Sequence, residues 1–409
     1  MPTPTPGLRD PAAPIPASVR MPMPTGLRLD SRVLADVRSE QPGPLVVALG
    51  GLHGNEPAGV LAAQRVGERL RELPLRGRFV ALAGNLPALA KGVRFADRDL
   101  NRKWYEADLA ALDTRDPATD SPEDRQQREL IAIIRELHAG ASEPIIFIDL
   151  HSTSGEGAPF CCMADTLRNR RIAFALPVPL ILGLEENIDG ALLGLLSDMG
   201  HVAIVVEGGQ HTDPWTTAFL ESSLWLALVA AGTLAAREVP DAGEHYRRLH
   251  DVARRLPRFV EIRHVQHVEP ADRFRMRPGF LNFQRISRGQ VLADSAHGEI
   301  RASEGGRILM PLYQNQGEDG FFIARDVRRI WLALSGLLRR LRLDRLVGWL
   351  PGVSRHPDRV GHPDQYRVNP RIARWFATEV MHLFGYRRCQ PEGSLLVFSR
   401  RRPDHYRSR

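Results

Sequence analysis

Cysteine is scarce, with Cys161, Cys162 and Cys389 the only three in a chain of 409 residues. Two neighbours and one distant residue cannot build a disulfide framework, and their spacing has no zinc-finger pattern. A reducing cytoplasm is the expected setting. Long apolar runs are missing too. None reaches the ~18 residues that a membrane-spanning helix needs, which predicts a soluble protein. The opening stretch MPTPTPGLRDPAAPIPASVRMPMPTG lacks the charged start, apolar centre and cleavage site of a secretory leader. Its prolines predict a flexible or extended lead-in over residues 1–43. No internal repeat stands out.

What is present is ordinary for a globular protein, with 43% hydrophobic and 25% charged residues. The length suggests roughly two to four domains. The formal net charge is +7, carried almost wholly by arginine and crowded into residues 325–409. Such an excess suits anionic partners or substrates without choosing among nucleic acid, membrane and small carboxylates. A nucleic-acid partner is not expected, because no basic motif interleaved with aromatic residues occurs.

Residues 44–240 alternate β-rich and helical stretches. Strands are predicted over 45–49, 78–83, 144–150, 179–182 and 201–206, with helices over 57–71, 122–138, 190–199 and 214–236. Alternation of this kind predicts an α/β domain with a mostly parallel or mixed central sheet flanked by helices. Residues 241–326 change to short alternating segments with glycine turns, the pattern of a small β domain. Residues 327–409 read as a basic helical extension, including the Arg/Leu/Trp-rich stretch 327–350. That stretch is expected to pack on its own domain, with contact to a second copy or to a membrane surface as the alternatives.

In α/β sheets, ligands gather beyond the carboxyl ends of the strands. Three predicted strands run directly into unusual polar residues at that end: LGGLHGNE, DLHSTSGEG and VEGGQH. An isolated His-x-x-Glu such as His53 and Glu56 reads first as a solvated turn, and a lone His151 as a hydrogen-bonded structural residue. Taken together, the three form a His-Glu-His set that leaves a fourth position open, as catalytic zinc sites do. Asp149 is a natural carboxylate partner for His151. Glu207 ends an apolar strand, where desolvation could suit it to proton transfer. The loop GVRFADRDLNRKW, residues 92–104, crowds Arg94, Arg98, Asn101 and Arg102 into a candidate anion-recognition segment.

The ordered set HGNE, R-x-x-x-x-D-L-N-R, DLHS and VEGG resembles the succinylglutamate desuccinylase/aspartoacylase family. This is the N-acyl amino acid deacylase branch of the zinc carboxypeptidase-like fold. The resemblance runs from about Leu45 to Ile323 and includes PLYQNQGEDGFFI, residues 311–323. It implies one zinc ion per chain on His53, Glu56 and His151, and Glu207 as general base and acid. It further implies Arg94 on the scissile carbonyl, and Asn101 and Arg102 on the carboxylate of a small anionic N-acyl amino acid. The implied reaction is attack of zinc-bound hydroxide on the amide. One feature departs from the family: LLSDMGHVAIVVE, ahead of Glu207, holds no arginine for a side-chain carboxylate. Cleavage of peptide C-termini by a metallocarboxypeptidase and a non-catalytic binding role are the competing readings.

Overall fold

The computed structural model describes residues 26–314, 316–356, 365–373 and 377–401, so the expectation for residues 1–25 lies outside it. The chain opens with β1 (Val33–Arg38), β2 (Leu45–Gly50), α1 (Pro57–Leu70), β3 (Arg78–Ala83) and α2 (Leu86–Lys91). Next come α3 (Glu106–Thr114), α4 (Pro122–Ala139), β4 (Ile146–Thr153), β5 (Phe160–Met163) and α5 (Leu167–Ala173). They lead to β6 (Leu180–Leu182), α6 (Leu192–Asp198), β7 (Val202–Gln210), α7 (Thr216–Ala231) and α8 (Ala242–Ala253). The later strands are β8 (Phe259–His267), β9 (Arg275–Met276), β10 (Arg285–Ile286), β11 (Val291–Ser295), β12 (Gly298–Arg301), β13 (Gly306–Leu309) and β14 (Asp319–Asp326). The extension holds α9 (Arg329–Arg340), β15 (Val353–Arg355), β16 (Gln365–Val368), α10 (Ala377–Leu383), β17 (Arg388–Glu392) and β18 (Leu395–Ser399).

Among the described residues, one sheet runs β1-β3-β2-β4-β7-β5-β6-β8-β14-β13-β10. The steps β3-β2, β2-β4 and β4-β7 are parallel, which gives the expected α/β class with a mixed sheet. All eight residues of β4 are buried, as a strand covered by helices on both faces requires. On one side α1 packs against α7 over a core that includes Val66, Phe79, Leu220 and Trp225. On the other, α4 and α6 close over Val47, Ile134, Phe147 and Leu196. The start of α4 is fixed by a reciprocal cap between Ser121 and Asp124, with Pro122 in the first turn.

Three differences from expectation have physical causes. Val33–Arg38 falls inside the stretch expected as lead-in, yet pairs antiparallel with β3 as an edge strand. The prolines that mark the lead-in end before it, and Ala35 enters the core. The later β segments stand apart only in part: β9, β11 and β12 form a separate three-stranded sheet beside a core that includes Leu292 and Phe321, whereas β8 pairs in parallel with β6 and antiparallel with β14. Its first four residues, Phe259 to Ile262, are buried and continue the central sheet. Finally, the extension expected as helical is mixed. A four-stranded antiparallel sheet, β15-β16-β18-β17, carries its own core of Val347, Tyr366, Tyr386 and Phe398. β15, β16 and β17 are short and each carries an arginine, so they show no sustained alternating pattern, whereas β18 falls on the strand-like run Ser394-Leu-Leu-Val-Phe-Ser. Arg342, at φ 56°, also breaks the expected 327–350 helix into α9 and a 3-10 turn over Leu343–Trp349.

Candidate active site

The register of the parallel strands assembles the site. Gly50 pairs with Leu150, and one step further His151 sits opposite Glu207. The chain leaving β2 turns at Gly51, whose φ of 73° favours glycine, and places His53 and Glu56 over the same edge. Helix α1 then lies almost on the strands: a Cβ on Gly59 would come within 2.5 Å of the Leu150 carbonyl oxygen. This close approach brings Glu56, at the start of α1, against His151.

His53, Glu56 and His151 are buried and offer three ligand atoms within 4.8 Å of one another. Glu56 is the hub. Its Oε1 lies 2.9 Å from His53 Nδ1 and its Oε2 lies 3.0 Å from His151 Nδ1, while the Ser152 amide donates to Oε2 at 3.0 Å. Burial pushes the Glu56 carboxyl up, but the facing imidazoles of His53 and His151 outweigh it and hold its pKa well below the ordinary value. Burial likewise opposes charge on His151, and Asp149 with Glu56 reverses it, raising its pKa well above the ordinary histidine value.

The outer ring nitrogens face carboxylates. His53 Nε2 is 3.1 Å from Asp99 Oδ1. His151 Nε2 is 3.0 Å from Asp149 Oδ2, an ion-pair distance without the alignment of a hydrogen bond. Carboxylates in this position fix the tautomer and ring orientation of a metal-binding histidine. Two inward Nδ1 atoms, one carboxylate and outer carboxylate braces are a donor set that fits zinc.

Asp99 has a second task. Its Oδ2 accepts from Arg94 Nε and Nη2 at 3.1 and 2.8 Å, and its Oδ1 also accepts from the Asn101 amide at 2.8 Å. It thereby caps the short turn Leu100–Arg102 and ties His53 to the arginine loop. Asn101 accepts from the Leu192 amide at 2.9 Å. Arg102 donates to Asp319 at 2.9 Å. Arg98 turns away, to Ser121 and Asp124.

His53, Glu56, Arg94, Asn101, Arg102, His151 and Glu207 all line one cavity of about 140 Å³. Burial pushes the Glu207 carboxyl up to about 8, and among the described residues nothing hydrogen-bonds to its Oε2. One wall is apolar, with Cys162, Leu184, Ile188, Val205, Met310 and Phe322. His211 closes another side, within 2.8 Å of Ser152 Oγ and 3.2 Å of Gln314 Oε1. Sequence reasoning assigned no role to Asp99 or His211, although both stood inside quoted motifs, DLNR and VEGGQH. The signal for Asp99 was its place between Arg94 and Asn101. For the apolar wall no signal existed, because it draws on strands and loops far apart in the chain.

This fold, with its buried His-Glu-His cluster at the strand ends, is that of the succinylglutamate desuccinylases and aspartoacylases. Residues 42–221 match the Succinylglutamate desuccinylase/Aspartoacylase catalytic domain. Over 111 residues it is 37% identical to an N-acyl-aromatic-L-amino acid amidohydrolase (carboxylate-forming) of Xenopus tropicalis. That match takes in 27% of this chain and spans only 34% of the relative's length. Among solved structures, a succinylglutamate desuccinylase/aspartoacylase from Rhodobacter sphaeroides has a TM-score of 0.54 at 17% identity, over 72% of this chain and 88% of its own. The ectoine utilization protein EutE from Ruegeria pomeroyi reaches 0.52 at 19% identity, over 71% and 87%. At such identities the likeness establishes the fold alone.

Proposed function

We propose that the chain is a zinc-dependent amidohydrolase that splits the amide bond of an N-acyl amino acid into a carboxylate and an amine. The observation that carries this reading is the convergence of His53, Glu56 and His151 within 4.8 Å at the edge where β7 presents the buried Glu207. Zinc, when bound, would supply a Lewis acid that activates water and polarises a carbonyl. Glu207 takes the proton from the attacking water and delivers it to the departing amine. A carboxyl raised to about 8 by burial exchanges protons readily near neutral pH, as a base that becomes an acid must. Arg94 stabilises the negative charge that develops on the carbonyl oxygen, held in place by Asp99.

Asn101 and Arg102 bind the carboxylate of the amino-acid half. Asp319 already engages one nitrogen of Arg102, so the substrate carboxylate shares that guanidinium or displaces Asp319 from it. The remainder of the substrate is apolar in this reading. The wall of Cys162, Leu184, Ile188 and Phe322 suits an aromatic or aliphatic group, and the segment before Glu207 has no arginine for a second carboxylate. An aromatic substrate also agrees with the name of the Xenopus tropicalis relative.

Zinc-loaded protein, assayed against N-acetyl-phenylalanine, N-acetyl-leucine, N-acetyl-aspartate and N-succinyl-glutamate, tests both parts. Faster hydrolysis of the first two is expected. Absence of any amide hydrolysis with zinc bound overturns the activity, whereas preference for the dicarboxylates overturns only the apolar half.

A further inference from the structure

The helix α9 is mounted with its apolar stripe outward. Its buried side consists of Leu332, Ser335 and Arg339, and the contact there is largely polar. Arg339 donates to the Asp165 carbonyl at 2.8 Å, while Arg170 donates to the Leu332 carbonyl and to Ser335 Oγ, each at 3.0 Å. Ile330, Leu337 and Leu341 repeat at seven- and four-residue steps along one helical face, and they are 69%, 55% and 60% exposed. The following turn adds Leu346 and Trp349, the latter 86% exposed. Such a stripe normally covers a core. Here it faces solvent.

Charge selects what covers it. Arg328, Arg329, Arg340, Arg342 and Arg345 are exposed around the stripe. The one acid between residues 327 and 349, Asp344, is taken by Arg400 at 2.9 Å. A two-fold contact with a second copy would set these five arginines against the same five, and like charges facing each other oppose association. An anionic surface meets them favourably. A helix with isoleucine and leucine along one side and exposed arginines beside it, followed by a turn that exposes a tryptophan, has the composition that lies in the boundary between lipid headgroups and acyl chains. Among the described residues no helix is long and apolar enough to cross a membrane, so any such attachment is peripheral.

We propose that the face formed by α9 and the Leu343–Trp349 turn docks on an anionic lipid surface, with the apolar stripe entering the interface and the arginines meeting the headgroups. Each arginine near such a surface strengthens binding about fivefold.

The test uses the full chain and vesicles of phosphatidylcholine alone or phosphatidylcholine with phosphatidylglycerol. Binding to the anionic vesicles only is expected, with weakening at high salt and a blue shift of tryptophan emission. The combined variant Arg340→Ala, Leu341→Ser, Trp349→Ser should lose at least about tenfold in binding. Its melting temperature should not change, since all three side chains are exposed. Three results overturn the proposal: no binding to anionic vesicles, equal binding to neutral ones, or sedimentation equilibrium showing a dimer that the variant converts to monomer.

Discussion

Arg401 of the extension and Glu185 are joined by a buried ion pair, and Glu185 is part of the wall of the cavity that holds His53, Glu56 and His151. The same guanidinium donates through Nε to Asp198 at 2.8 Å. The extension therefore grips the loop from Gly183 to Ala191 at Glu185 and the end of α6 at Asp198. That loop also supports the chain just after the Leu100–Arg102 turn proposed to bind substrate, because the Trp104 amide donates to the Gly190 carbonyl at 2.9 Å.

Arg401→Ala should act on both stability and the pocket. Removing one member of a buried pair leaves Glu185 without its cation, at a cost of about 3 kcal/mol, while Asp198 keeps Arg388 at 2.9 Å. Urea denaturation measures that loss. A pocket wall displaced by even an ångström can cost up to ~10²-fold in rate, so kcat/KM should fall by about one order of magnitude, through KM more than kcat. An unchanged KM would mean that the grip is structural only.

Asp99→Asn keeps the shape of the brace and removes its charge. His53 Nε2 and Arg94 both lean on this carboxylate, so zinc affinity should fall roughly 10- to 100-fold. Competition with a chelator of known affinity gives the number. Equal affinity in mutant and wild type would remove Asp99 from the support of the metal site.

Much of this site was legible because its residues sit in local motifs tied to strand ends. The strands over 45–49 and 78–83 are apolar runs, apart from Arg78, between Pro44 and Gly50 and between Gly77 and Gly84, and they fold where expected. His53 and Glu56 followed from the first of these, His151 from the strand over 144–150 and Glu207 from the strand over 201–206. What could not be read is whatever depends on orientation or long-range pairing. The 327–350 stretch showed an apolar stripe, but nothing in the sequence tells which face meets the protein. Arg339 looks like any other tail arginine until Asp165 is found beneath it. The Arg102–Asp319 pair joins residues 217 positions apart, and no spacing rule connects them.

Glu207→Gln separates catalysis from stability. Turnover should fall by orders of magnitude while zinc content stays normal. In the metal-free protein the carboxyl titrates at about 8 instead of 4.5. A carboxyl whose folded pKa is raised gives a contribution that is full below 4.5 and is lost as pH rises through about 8. The melting temperature of metal-free wild type should therefore decline relative to Glu207→Gln across that window. Parallel curves would show that Glu207 is not held protonated by burial.

Two histidines outside the site act in the opposite direction. Burial lowers both His201 and His245 from 6.5 to about 4. His201 accepts from the Ile145 amide at 3.1 Å through Nδ1, and His245 Nδ1 lies 3.0 Å from Ser222 Oγ. A proton on His201 Nδ1 would break its acceptor role inside the core. The unfolded chain binds these protons at 6.5 and the folded chain near 4, so stability is intact above 6.5 and is lost as pH falls toward 4. Each histidine adds up to about 1.4 kcal/mol per pH unit to that slope. Replacing both with Gln removes the titrating groups. The stability difference between wild type and the double variant, from urea titrations at several pH values, should shrink steadily on acidification. A difference independent of pH would show that these rings are free to charge in the folded protein.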